Sequence, residues 1–274
     1  MKLGENKLKV KLMKIRENNY LLEKEESYYE IGLEMMNSIG VLDAELRDKL
    51  IYTTFYHWII KDKFNTEQLR QLLSISTSNS HLFNRVNEKH GDGVFKRTFS
   101  VLIIALIVYK HRNEKFLTKE ELQDVRHKVI DYMIMEEDLR GYVEGQGWAH
   151  ASAHTADVLD ELIQCDCFSK NDVKEILDSI KAKVCIGYYV YIDEEDERMV
   201  NVVESCIRGK ILNNSEILSW LKAFKIQDYS NKNIEFYHFK VNIKGFLRSL
   251  YFRLANVEGT EMILKEIKSN LDSL

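Results

Sequence analysis

Apolar residues recur every three to four positions along most of the chain, which predicts a succession of helices. Leu46, Leu50, Ile51, Phe55, Trp58 and Ile59 keep this spacing, and Asp43 is placed to cap their helix. Asn65 or Thr66 starts a short helix carrying Leu69, Leu72 and Leu73, and Ser80 precedes another that ends near Gly91. Residues 94–110 are apolar on nearly all sides, the pattern of a central helix covered by its neighbours. Thr118 and Glu121 form a capping box before Leu122, Val125, Val129 and Met133. Gly141, Gly145 and Gly147 make residues 139–147 a loop or broken turn, after which a helix runs from about Trp148 to Gln164. Ser169 and Asp172 open the next helix, and later ones fit residues 195–207, 215–224, 243–254 and 261–271. Only residues 185–192 read as strand-prone, and they could equally continue a helix.

The predicted fold class is therefore all-α; a right-handed superhelical stack of antiparallel helices of the HEAT/armadillo kind fits the pattern, and that finer expectation rests partly on a family resemblance carried by residues 141–157. Stacked helix pairs suit the pattern because each pair needs its neighbours to bury its apolar face. No repeat of fixed period is visible, and a compact irregular bundle stays open. With no Pro/Gly/Ser linker, residues 1–274 read as one domain, with 1–25 a loosely packed N-terminal helix. The chain holds no proline, which favours helix over strand-rich architecture.

Charge narrows the partners. A net charge of −4 disfavours a generic nucleic-acid binder, including a DNA-lesion binder, which needs a basic concave face. The basic run in residues 2–16 is followed by acidic residues 23–26 and reads as a solvated helix face. Cys165, Cys167, Cys185 and Cys206 contain no Cys-x-x-Cys pair and read as reduced, half-buried small hydrophobes. The longest apolar run, residues 101–108, is too short to span a bilayer, and no apolar signal core follows Met1. The expected location is cytoplasmic.

The densest chemistry lies in residues 140–157. A helix beginning near Trp148 places His150, His154, Asp157 and Glu161 on one face, among the small Ala149, Ala151, Ala153 and Ala156. Two imidazoles at i, i+4 with a carboxylate three residues on can hold a divalent metal or act as acid–base groups. His150 is then expected in the first helical turn, kept neutral by the helix dipole. Glu144, Trp148 and Glu161 would shape the pocket, and Arg140 or Arg248 would receive an anionic group. The plain alternative is a satisfied polar seam between helices, since His-x-x-x-His alone lacks the internal Glu of zinc proteases. Three further groups join the same surface or simply cap and pair: residues 43–48, residues 193–198, and Arg248 with Arg253.

The string Gly141-Tyr-Val-Glu-Gly-Gln-Gly-Trp-Ala-His-Ala-Ser-Ala-His-Thr-Ala-Asp157 resembles the signature of the bacterial family of unknown function numbered 2785. Glu45-Leu-Arg-Asp48, Gly93-Val-Phe-Lys-Arg97, Glu195-Asp-Glu-Arg198 and residues 246–254 fall in that family's order, so the likeness spans about residues 30–255. Lys96-Arg97-Thr98 departs from the Arg-Ser-like pair expected there. The resemblance implies an armadillo-type helical fold in a bacterial cytosolic protein and brings no activity. The expected function is a protein- or peptide-binding scaffold. The alternative is a metal-dependent or acid–base enzyme or ligand-binding protein using His150, His154 and Asp157.

Overall fold

A computed structural model describes residues 3–224 and 233–274. Among them, twelve α-helices, one π-helical segment and a two-stranded hairpin account for the regular structure. They are α1 (Leu3–Glu17), α2 (Tyr28–Asn37), the π-helical Glu45–Tyr52 running on into α3 (Thr53–Ile60), α4 (Thr66–Ser76), α5 (Gly93–Asn113) and α6 (Lys119–Met135). After them come β1 (Tyr142–Val143), β2 (Gly147–Trp148), α7 (Ala151–Ile163), α8 (Lys170–Val184), α9 (Glu195–Arg208), α10 (Asn214–Lys222), α11 (Ile234–Leu254) and α12 (Glu261–Ser273). The protein is all-α apart from the hairpin.

Local chemistry sets many of the helix starts. Asn65/Gln68, Thr118/Glu121, Ser169/Asp172 and Asn213/Glu216 are reciprocal capping boxes, each satisfying two backbone donors. Asp43 accepts from the Leu46 amide at 3.1 Å, as its position implied. Packing then sets the order: α3, α5, α7, α9 and α11 contact one another successively, while α6 packs on α8 and α10 on α12. One apolar cluster runs from Leu8 of α1 through to Ile267 of α12. Helix α1 lies on the π-helical segment, burying Leu8, Leu12 and Ile15. Its Lys9 reaches Asp43 and Glu45, each at 2.7 Å.

Two predicted elements are absent. Residues 80–91 form turns and not a helix, because their carbonyls serve another group: the fully buried Arg97 draws Asn84 O (2.9 Å) and Arg85 O (3.2 Å) onto its guanidinium. That cation also makes a two-pronged pair with buried Glu136, at 2.6 and 2.8 Å. Residues 185–192 continue neither helix nor strand. Asn242 of α11 holds their backbone open, donating to Ile186 O and Tyr189 O and accepting from the Tyr191 amide. The four cysteines are unpaired, and burial pushes Cys165 up to about 12 and Cys185 and Cys206 to about 11, which makes them poor nucleophiles. No helix of the described residues is long and apolar enough to cross a membrane.

Candidate binding surface at the 142–148 hairpin

The glycine-rich stretch folds as a short hairpin pairing Tyr142 with Trp148 and Val143 with Gly147. Because strand side chains alternate, the two pairs face opposite ways. Val143 turns inward onto Val94, Phe95, Ala149 and Ala151. Gly147 lies against the π-helical segment at φ +81°, where an added Cβ would come within 2.8 Å of Ala44 Cβ. Gly141 is likewise forced, since a Cβ there would fall on the Asp193 carboxylate. The other pair turns outward: Tyr142 is 56% and Trp148 40% exposed, their rings edge to face at 5.1 Å.

Buried polar groups hold this hairpin in place. Arg47 of the π-helical segment is fully buried and donates to Val41 O (2.8 Å) and, across the fold, to Gln146 O (2.6 Å). Its guanidinium stacks near Phe95 and Phe99 at 4.3 and 4.7 Å. Arg47 Nε lies 2.8 Å from Asp48 Oδ1 but neither atom has an aligned hydrogen bond, so the two form an ion pair only. Burial outweighs that attraction and pushes the Asp48 carboxyl up to about 6.

Helix α7 starts at Ala151, not Trp148, so His150 is its N-cap and not a first-turn residue. It takes a left-handed conformation, φ 51°, which costs a side-chain-bearing residue about 1 kcal/mol. Its ring is clamped on two sides: it stacks against Trp148 at 4.3 Å, and its Nε2 lies 2.9 Å from Asp193 O, to which it donates. Burial lowers its pKa. Glu194, at the N-cap of α9, is left-handed too, φ 63°. Its neighbour Glu195 is fully buried, accepts from the Asp193 amide through Oε2, and leaves Oε1 without a hydrogen bond 3.8 Å from His150 Nε2. Burial raises the Glu195 carboxyl. A π-helical turn and two left-handed caps thus converge on one hairpin, a concentration of backbone departures typical of functional sites.

The sequence-derived candidates divide as follows. His150 and His154 stand together, edge to face at 5.7 Å. His154 is buried against Phe99, its Nδ1 has no hydrogen bond, and burial pushes its pKa down to about 3. Asp157 is nearby but accepts two hydrogen bonds from Arg198, at 2.9 and 2.7 Å. Glu161 is apart, paired with Arg112. Glu144 is exposed at the hairpin turn, and Arg140 is committed to Asp138 and Gly91 O. Arg248 lies on α11, exposed. Among the described residues, no three His, Cys, Asp or Glu side chains are grouped to hold a metal ion. Sequence reasoning passed over Tyr142 as a site residue. For Tyr142 the signal was there, in two short alternating runs flanking Glu-Gly-Gln. Arg47 fell within the 43–48 group, which joins this surface or simply caps and pairs, but nothing local shows that this arginine is buried against a carbonyl 99 positions away.

A model of the family described as "Protein of unknown function (DUF2785)" matches residues 82–252, well over half of the chain. No curated protein and no solved structure matches it.

Proposed function

The chain belongs to the DUF2785 family of proteins of unknown function, and we propose that it is a binding scaffold that grips a protein or peptide partner through the outward face of its hairpin. The carrying observation is the exposed Tyr142–Trp148 pair, displayed on a hairpin that a buried arginine, a left-handed histidine and two close-packed glycines hold rigid. Preorganised aromatics of this kind are the residues that dominate interfaces, because little entropy is lost when they are covered. Covering the exposed part of each ring is worth about 2 kcal/mol at ~25 cal/mol per Å². The successive packing of α3, α5, α7, α9 and α11 supports a right-handed superhelical stack in which residues 1–274 act as one unit. His150, His154 and Asp157 then serve as the seam beneath the contact surface, in a bacterial, cytoplasmic protein.

Affinity purification of the wild type beside a Tyr142→Ser/Trp148→Ser variant, with quantitative mass spectrometry, tests this. A partner enriched by the wild type and lost from a variant with unchanged circular dichroism supports the scaffold. Equal recovery by both would remove the hairpin from the interface.

A second function, acid–base or ligand chemistry, is favoured by one observation: Asp48 and Glu195 carry raised carboxyl pKa values and His150 a lowered one around the same hairpin. Near-stoichiometric metal in protein purified without tag or chelator, lost on His150→Ala/His154→Ala, would place this second function first.

A further inference from the structure

Helix α11 buries Phe236, Ile243, Phe246, Leu247, Leu250 and Leu254, and it packs on α9, α12 and α8. Its opposite side is not polar, as a solvent-facing helix surface ordinarily is. Ile234 is 65%, Tyr237 53%, Val241 51% and Phe252 74% exposed. At 3.6 residues per turn these four fall on one line, with Gly245 and Arg248 at the intervening turns, over about 27 Å at 1.5 Å per residue. In the series α3–α5–α7–α9–α11, each earlier helix is covered by its successor, and α11 has none among the described residues.

One flank of this line is basic, while Asp196 and Glu197 of α9 border it at Gly245 and Phe252. Lys240, Lys244 and Arg248 follow one another at four-residue spacing, where like charges repel. Lys240 lies over the Phe236 ring at 5.5 Å, and none of the three has a carboxylate partner among the described residues. Next to Arg248 a cavity of about 490 Å³ opens between α9 and α11, lined also by Glu197, Gly245, Ser249, Phe252 and Arg253. Arg253, at its edge, is already paired with Glu197 at 2.6 Å, so Arg248 is the uncommitted cation there.

We infer that this face of α11 is the docking surface for an acidic amphipathic helix of a partner protein. Apolar anchors spaced i, i+4 and i+15 on the partner cover Tyr237, Val241 and Phe252, and its carboxylates neutralise Lys240, Lys244 and Arg248. A helix fits better than a membrane surface, because Lys240 and Lys244 lie along one side of the apolar line with Arg248 upon it, and the cavity is recessed between two helices.

The test is fluorescence anisotropy of a labelled model helix of about 18 residues, with leucines at i, i+4, i+11 and i+15 and glutamates flanking them. The full chain is titrated with it, with a scrambled peptide, and with phosphatidylcholine vesicles with and without phosphatidylglycerol. The expected result is salt-dependent binding at least about tenfold tighter than to the scrambled peptide. Lys240→Glu/Lys244→Glu/Arg248→Glu should lose about tenfold or more with an unchanged thermal melt, as should Val241→Ser/Phe252→Ser. A Tyr142→Ser/Trp148→Ser variant should bind the helix as the wild type does. Equal binding of the scrambled peptide, full retention by the charge-reversed variant, or binding to anionic vesicles without binding to the helix would overturn the inference.

Discussion

Replacing Gly147 by alanine, with Gly145→Ala as its partner experiment, isolates what clamps the hairpin. Both glycines have positive φ, 76° at Gly145 and 81° at Gly147, so each alanine carries a backbone cost of about 1 kcal/mol. At Gly145 nothing lies within 4 Å of an added Cβ, and the cost stops there. At Gly147 the new Cβ meets Ala44 Cβ at 2.8 Å, the fully buried Arg47 at its Nη2 at 3.1 Å, and Asp48 Oδ2 at 3.2 Å. The hairpin must lift, and the Arg47 bond to Gln146 O goes with it. A charge-assisted bond left unmade in the interior adds about 2–3 kcal/mol. The difference between the two variants is therefore about 2–3 kcal/mol of local stability. Native-state hydrogen exchange reads it at the Ala149 and His150 amides, which are bonded to Gly141 O and Arg140 O across the base of the hairpin. Gly147→Ala should accelerate their exchange about 30-fold or more beyond Gly145→Ala. Equal exchange in the two variants would mean that the contact with the π-helical segment does not hold the hairpin.

Three further outcomes follow from the same geometry. Arg97→Met should cost about 3–5 kcal/mol in urea unfolding by stranding buried Glu136, and adding Glu136→Gln should return much of it; a strictly additive double variant would contradict this. His154 is neutral when buried and protonates once unfolded, so its contribution is present above pH 6.5 and is lost as pH falls toward about 3. His154→Leu should flatten the pH dependence of stability between those values by about 1 kcal/mol per pH unit, and an unchanged slope would show that the ring is hydrated. Chelation with EDTA should leave the thermal midpoint unchanged, since Asp157 is held by Arg198 and His150 by Asp193 O; a drop of several degrees would restore a metal at His150 and His154.

Helices were readable wherever a cap and an apolar period agreed locally, as at Thr118/Glu121 and Ser169/Asp172. The misread segments have tertiary causes. Residues 80–91 carry helical spacing, yet their carbonyls are recruited by Arg97 from the following helix. Residues 185–192 are shaped by Asn242, more than fifty positions away. Around the hairpin, the His150–His154 pair was legible because four residues on a helix stay neighbours. The partners of the other candidates were not: Asp157 meets Arg198, Glu161 meets Arg112, and Gly147 meets Ala44, each through chain-distant packing. The π-helical winding of Glu45–Tyr52 leaves no mark in the residue pattern, which reads as an ordinary amphipathic helix.

The central claim is that the outward hairpin face touches a partner, and site-specific photo-crosslinking tests it most directly. A benzophenone amino acid placed at Trp148, and in parallel at exposed Tyr109 on α5 as a distant control, would be irradiated in the native host. The scaffold account predicts one discrete crosslinked protein from position 148, absent from position 109 and abolished by Gly147→Ala. No adduct at position 148, or the same adducts from both positions, would contradict it.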